Sequence, residues 1–366
     1  MNTQAPGRIR IASLYEDLSA SMAALRKQHH AVDSSRQVVL RALEDGRAHY
    51  GINTGFGILA NKRIDAGQLA ELQRNILLSH ACGVGEPVPP EITRLMLQLK
   101  IHALGLGQSG ISRTTFNQLL AFEHKALLAW IPSRGSVGAS GDLAPLAHMC
   151  LPLIGRGEVW NDERNGKLDA LTAMKEKGIE PIQLKAKDGL ALINGTQLMA
   201  AYGAFVLERS LTLLKAADII SAMSLEALQG SATPFDARIH QIRPHPGQSH
   251  VASNIRQLLE ESEILDSHRD CGKVQDPYSL RCIPRCTVPA VMLSLTRRVW
   301  LKLSLTQSLT TLWFSRTETF SLEETFMGSR WHCVWTLQRL PWQNWPAFQN
   351  ATPTSCSRGT MAFQNC

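Results

Sequence analysis

The chain has 366 residues, 44% of them hydrophobic, and this length allows one large domain or two medium domains with a substantial core. No run of about 18 apolar residues occurs and the first residues lack a signal-peptide layout, so we expect neither a membrane span nor secretion. The formal net charge is +7, and the eight cysteines form no CxxC pair, which favours a cytoplasmic, reducing location over a disulfide scaffold.

Stretches rich in leucine and alanine dominate the sequence and have helical periodicity. The clearest of them are residues 68–79, 91–104, 113–130 and 197–230. Strand-like alternation of polar and apolar residues is scarce. The pattern therefore predicts a mainly α fold.

Residues 50–57 read YGINTGFG and contain three glycines. So many glycines in a short stretch predict a flexible lid. Tyr50 at its start can act as a base if its surroundings lower the pKa of the phenol. Taken alone, the stretch is equally compatible with a glycine-rich surface turn that carries a packed tyrosine.

Residues 75–86 read NILLSHACGVGE and contain the pair Ser79 and His80. The imidazole of His80 can hydrogen-bond a second imidazole, which a leucine at that position cannot do. A histidine on a helix is more often structural, so the pair gains meaning only from its flanking residues.

Residues 135–148 read GSVGASGDLAPLAH, with Ala139, Ser140 and Gly141 at the centre. A small–Ser–Gly tripeptide in a tight bend can cyclise when the Gly141 nitrogen attacks the Ala139 carbonyl, and glycine leaves room for that approach. Loss of water there and from Ser140 gives 4-methylidene-imidazol-5-one (MIO), an electrophile that no ordinary side chain supplies. The alternative is a turn before a helix, with Ser140 or Asp142 as N-cap.

Two further stretches carry polar residues that suit a ligand site. Residues 189–197, GLALINGTQ, contain Asn194 in an Asn-Gly pair, which is otherwise a common turn. Residues 273–282 read KVQDPYSLRC and contain Gln275, Tyr278 and Arg281. The Arg281 guanidinium can hold a carboxylate through two parallel hydrogen bonds, or it can be a surface ion-pair partner.

These five segments, in this order, resemble the signature segments of the aromatic amino acid ammonia-lyases. The resemblance is nearly continuous from residue 50 to residue 282 and looser before it. It implies a mainly α long-helix bundle with a smaller mixed N-terminal region, and a homotetramer. It also implies an N-terminal domain at 1–200 that carries the MIO loop, and the start of the central helical bundle at 201–282.

The resemblance implies a carbon–nitrogen lyase that converts L-histidine to trans-urocanate and ammonia, with no metal and no dissociable cofactor. The implied catalytic residues are Tyr50 as base, Ala139, Ser140 and Gly141 as the source of the MIO, and Tyr278. The implied substrate-binding residues are His80, Asn194, Gln275 and Arg281. Family members that prefer phenylalanine or tyrosine generally carry Leu or Asn in place of His80, so a phenylalanine or tyrosine ammonia-lyase or aminomutase is the alternative.

Residues 283–366 differ sharply in composition from the rest of the chain. Residues 1–282 hold 30 Lys or Arg against 28 Asp or Glu, whereas residues 283–366 hold 8 against 3. This tail has six of the eight tryptophans and four of the eight cysteines, but no tyrosine and no aspartate. The shift is compatible with a second domain, a basic module that binds nucleic acid, or translation in a shifted reading frame.

Re-reading each tail codon one base upstream tests the last explanation. Residues 307–315 can then encode Ala-Val-Thr-Asp-Asn-Pro-Leu-Val-Phe, which resembles a family segment. Residues 322–333 can encode Ser-Gly-Gly-Asn-Phe-His-Gly-Glu-Pro-Val-Ala-Leu, which resembles another, and here Met327 before Gly328 permits only Gly. We infer a net one-base loss or two-base gain near codons 282–285.

This hypothesis makes the tail at 283–366 an aberrant segment rather than a nucleic-acid-binding module. The tail has no amphipathic helix pattern long enough to replace the family residues, and its tryptophans would expose apolar surface. We therefore expect poor folding, aggregation or loss of activity in the chain as written, which would be a non-catalytic remnant without the family tetramer.

Overall fold

The computed structural model describes residues 9–55, 62–136, 141–269 and 272–285, with two further short strands. Most of these residues are helical, which confirms the predicted mainly α fold. The α-helices are α1 (Leu14–Lys27), α2 (His30–Glu44), α3 (Leu69–His80), α4 (Pro90–Gly105), α5 (Arg113–His124), α6 (Leu143–Cys150), α7 (Ala170–Glu176), α8 (Asp188–Ile193), α9 (Gln197–Ala227), α10 (Ala237–Ile242), α11 (Pro246–Leu258), α12 (Glu263–Ser267) and α13 (Tyr278–Arg281). Among these helices, none combines the length and the apolar character needed to cross a membrane.

The described strands form antiparallel pairs of two. They are β1 (Val84–Pro87), β2 (Pro132–Arg134), β3 (Glu158–Trp160), β4 (Lys167–Asp169), β5 (Trp313–Phe314) and β6 (Phe320–Ser321). In the first pair Val84 lies opposite Arg134, and in the second Val159 lies opposite Leu168. The β1–β2 pair positions the candidate site because β2 leads directly into residues 135–148.

The chain divides into two compact units, with a boundary between Ala201 and Tyr202. The first unit contains α2 to α8 and most of α1, and its buried residues include Leu18, Met22, Leu77, Met96, Phe116, Leu119, Phe122 and Leu146. The second unit includes Ile9–Leu14 and most of α9, followed by α10 to α13. Its core cluster consists of Ala222, Leu225, Phe235, Val251, Ala252, Ile255, Leu259 and Leu280.

Helix α5 ends at His124 and is shorter than the helix predicted over residues 113–130, so that prediction was wrong for residues 125–130. The backbone turns at Ala126, whose φ of 51° is left-handed and cannot continue an α-helix. The Trp130 amide then donates to the Glu158 carbonyl at 2.8 Å, so this apolar stretch continues as extended chain beside β3. Periodicity identified the buried residues but not the end of the helix, because a buried extended run is apolar too.

His102 on α4 makes the stability of the first unit depend on pH. It is buried, and its Nδ1 lies 2.8 Å from the hydroxyl of Ser21 on α1. Burial lowers the pKa of His102 from 6.5 to about 4. Because the pKa is lower in the folded chain, unfolding takes up a proton between pH 6.5 and about 4. The free energy of unfolding therefore falls as the pH falls through this range.

We expect the free energy of unfolding of the unaltered chain to fall by about 1.4 kcal/mol per pH unit between pH 6.5 and about 4, relative to that of His102→Gln. Urea unfolding at several pH values measures the difference. Parallel pH profiles for the two proteins would contradict the expectation.

Candidate functional site

Gly141 and Gly195 form a close backbone contact, called here the glycine bridge. They make an isolated parallel β-bridge, and the Asp142 amide donates to the Gly195 carbonyl at 2.7 Å. Gly141 has a φ of +116°, and a Cβ added to it would overlap the Gly195 carbonyl oxygen and lie 2.9 Å from its carbonyl carbon. Only glycine fits at position 141. Ala139 and Ser140 lie outside the described residues.

The carboxylate of Asp142 caps α9 rather than α6. Asp142 directly precedes α6, as the N-cap alternative supposed, but its side chain makes no capping hydrogen bond to that helix. Its Oδ2 instead accepts from the amides of Leu198 and Met199, at 2.9 and 3.0 Å, in the first turn of α9. Burial raises the pKa of Asp142 to about 6, and these hydrogen bonds oppose that rise.

Helix α8, which ends just before Asn194, packs closely against α3. The Gly189 amide donates to the Gln73 Oε1 at 2.8 Å, and a Cβ at Gly189 would lie 2.5 Å from the Ile76 side chain. The missing side chain therefore allows the two helices to touch. Asn194 itself is buried. Its position beside Gly195 brings it to the glycine bridge.

His80 is the last residue of α3 and is half-buried. Its Nδ1 lies 2.9 Å from the Ile76 carbonyl oxygen and 3.1 Å from the Ser79 hydroxyl. Because a carbonyl only accepts, Nδ1 is the donor in this contact, and in the neutral tautomer that fits it Nε2 is left as an acceptor. This arrangement suits recognition of an N–H group such as that of a second imidazole.

The chain just after His80 lies beside both ends of the predicted MIO loop. The Gly83 amide donates to the His148 Nε2 on α6 at 2.9 Å. Burial lowers the pKa of His148, which keeps that nitrogen an acceptor. A Cβ at Gly135 would lie 3.0 Å from the Cα of Gly83. Since Gly135 and α6 flank residues 137–140, the end of α3 and the ends of this loop are neighbours.

Tyr50 stands at the start of a loop whose base is closed by backbone contacts. Thr54 forms an antiparallel bridge with Arg63, and Ile52 is fully buried in a small cluster with residues of α2. Tyr50 is half-buried, and residues 56–61 lie outside the described residues. The base of the predicted lid is therefore anchored, whereas movement of its tip stays a prediction.

The remaining predicted site residues lie in the second unit. Gln275, Tyr278 and Arg281 line one cavity of about 480 Å³. Tyr278 is 60% exposed, and the Arg281 guanidinium carbon lies 5.4 Å from the centre of its ring. Asp276, which follows Gln275, is buried. Its carboxylate accepts a hydrogen bond from the Ser231 amide at 2.6 Å and so fixes the start of α13. The residues that fall in the first unit are Tyr50, His80, Gly141 and Asn194.

The helical fold is that of a known class of enzymes. The family described as Aromatic amino acid lyase matches residues 10–299, and the chain belongs to this family. Similar proteins include the histidine ammonia-lyases of Legionella pneumophila (strain Paris), 45% identical over 282 residues, and of Myxococcus xanthus, 48% identical over 254 residues. These matches cover 76% and 69% of this chain and 55% and 50% of the relatives, so the chain spans about half their length.

Solved structures of the same fold include both ammonia-lyases and aminomutases. The histidine ammonia-lyase of Trypanosoma cruzi is similar with a TM-score of 0.76 at 29% identity, covering 91% of this chain and 64% of that one. The tyrosine aminomutase of Streptomyces globisporus has a TM-score of 0.78 at 28% identity, covering 90% and 66%. These structures support the predicted fold class independently of the helix content.

Proposed function

We propose that this chain derives from an enzyme that deaminates L-histidine to trans-urocanate and ammonia, the first step of histidine degradation. Membership of the aromatic amino acid lyase family supports the reaction class. The observation that carries the substrate assignment is His80, whose Nδ1–H donates to the Ile76 carbonyl and leaves Nε2 as an acceptor for the substrate ring.

The glycine bridge supports an MIO formed from Ala139, Ser140 and Gly141. Ring closure through the Gly141 nitrogen needs a backbone without a side chain at that position, and a Cβ there has no space. The residues present therefore fit an electrophile made from the chain itself, which would supply reactivity toward the substrate amine.

The other residues take the roles that the family resemblance implies. Tyr50 removes the β-proton of the substrate. The backbone contacts that close its loop restrict the movement of the phenol. Asn194 orients the amine beside the glycine bridge. Arg281 fixes the carboxylate through its guanidinium fork. Gln275 and Tyr278 line the same cavity as Arg281. They help to position the substrate amine and the carbonyl of the MIO.

A phenylalanine or tyrosine ammonia-lyase or an aminomutase is the second candidate, because aminomutases occur among the structures of this fold. Ser79 and His80 disfavour this candidate, because the ring of phenylalanine or tyrosine has no N–H that could donate a hydrogen bond to His80. Curated relatives at 45% and 48% identity carry the name histidine ammonia-lyase, which favours the first candidate.

We also propose that residues 283–366 are read out of frame, after an N-terminal domain at 1–200 and the start of the helical bundle at 201–282. The family match ends at residue 299, before both decoded segments. A cytoplasmic homotetramer is proposed for the frame-restored chain, meaning the protein read after one base is restored within codons 282–285.

We expect His80→Leu in the frame-restored chain to lower kcat/KM for L-histidine by about 10- to 100-fold, because a substrate ring N–H loses its acceptor. Urocanate absorbance measures the rate, and ammonia release from L-phenylalanine measures any change of preference. His30→Leu is the matched control, because it removes an exposed imidazole at the start of α2. Equal rates for both variants on L-histidine would refute the assignment of His80.

A further inference from the structure

Lys100 on α4 is a fully buried lysine that the mechanism above does not use. Its side chain is among the largest fully buried ones of the chain, with 1% of the residue exposed. Its Nζ donates to the main-chain carbonyl of Asn194 at 2.6 Å. Burying an ammonium is costly unless it is hydrogen-bonded and compensated, so this contact is a specific one.

The carbonyl that Lys100 holds belongs to the residue next to the glycine bridge. Asn194 directly follows the last residue of α8. The next residue, Gly195, contacts Gly141, and its carbonyl accepts the Asp142 amide at 2.7 Å. Lys100 therefore connects α4 to the backbone on which the bridge rests. Burial lowers the pKa of Lys100 to about 7, while the buried groups of Cys150 and Asp142 act to raise it.

We propose that Lys100 is a positioning residue: by holding the Asn194 carbonyl it fixes the glycine bridge, and with it the place of the Gly141 nitrogen, which closes the ring, and of Asn194, which meets the substrate amine. The part concerning cyclisation rests on the proposed function. The part concerning the bridge stands on the hydrogen bond from Lys100 alone.

Lys187 provides a matched comparison for this proposal. It is also a fully buried lysine, burial also lowers its pKa to about 7, and it lies at the opposite end of α8 from Asn194. Replacing either lysine by methionine removes one buried ammonium and keeps a side chain of similar length. A general loss of stability would affect both variants, whereas loss of the bridge would affect only Lys100→Met.

Amide-resolved hydrogen exchange of the frame-restored chain, the form expected to be soluble, tests the proposal. We expect Lys100→Met to lower protection of the Asp142 amide at least about tenfold, while the Trp160 amide, which donates to Leu128, keeps its protection. Lys187→Met should leave the ratio of these two protections unchanged. Protection at Asp142 within about twofold of that in Lys187→Met would overturn the proposal.

Mass spectrometry of the peptide containing residues 139–141 distinguishes this proposal from the proposed function. We expect the fraction of peptide that has lost two water molecules to fall in Lys100→Met and to persist in Lys187→Met. If the frame-restored chain without a substitution shows no such loss, formation of the MIO fails in this protein, while the exchange at Asp142 still decides the role of Lys100. An unchanged fraction in Lys100→Met overturns the part concerning cyclisation.

Discussion

We expect Gly141→Ala to abolish formation of the electrophile, and with it all lyase activity, in the frame-restored chain. The new Cβ would overlap the Gly195 carbonyl oxygen, and the φ of +116° at position 141 disfavours any L side chain. Both effects move the Gly141 nitrogen away from the position that ring closure needs. Peptide mass spectrometry should find no loss of water from residues 139–141, and no urocanate should form.

Gly46→Ala separates backbone strain from steric overlap. Gly46 also has a positive φ, +76°, but no atom lies within 4 Å of an added Cβ. This variant should lose about 1 kcal/mol of stability and keep its activity. A Gly141→Ala protein that still loses two waters would show that the glycine bridge is not required.

Restoring the reading frame is expected to have the second large effect, which concerns the whole chain. As written, the tail carries six tryptophans and a charge balance of 8 to 3 without an amphipathic helix pattern. In the restored frame the same DNA can encode family segments, including Ser-Gly-Gly-Asn-Phe-His-Gly in place of residues 322–328. We therefore expect the chain as written to aggregate and the frame-restored chain to be a soluble oligomer.

Sequencing the encoding DNA across codons 275–295, followed by size-exclusion chromatography of both proteins, measures this effect. The sequence should show one base too few, or two too many, relative to an open frame through the family segments. Equal solubility and oligomeric state of the two proteins would contradict the account of the tail.

Four of the five site segments are recognisable in the sequence because each combines glycine with reactive or polar residues in a short stretch, whereas residues 273–282 contain no glycine. Local chemistry predicts that position 141 needs a residue without a side chain. Helical periodicity predicts the helix that ends at His80. The helical content was also predictable, since Leu and Ala recur with a helical period in most long stretches.

Contacts between distant residues could not be predicted in this way. Asp142 has the local pattern of an N-cap for α6, yet its carboxylate binds amides 56 and 57 residues further along. Lys100 lies in an apolar helix where its partner, a main-chain carbonyl, leaves no mark on the sequence. Such partners depend on how helices pack, and local residue preferences do not encode that packing.

We propose above all that this chain carries the residues of a histidine-specific lyase. The most direct test is to incubate the frame-restored chain with L-histidine and, separately, with L-phenylalanine and L-tyrosine, and to record urocanate, the other arylacrylates and ammonia. We expect urocanate and an equal amount of ammonia from L-histidine, with far slower release of ammonia from L-phenylalanine and L-tyrosine. Preferential deamination of L-phenylalanine or L-tyrosine would contradict this proposal. So would the absence of any product from a soluble protein whose residues 139–141 have lost two water molecules.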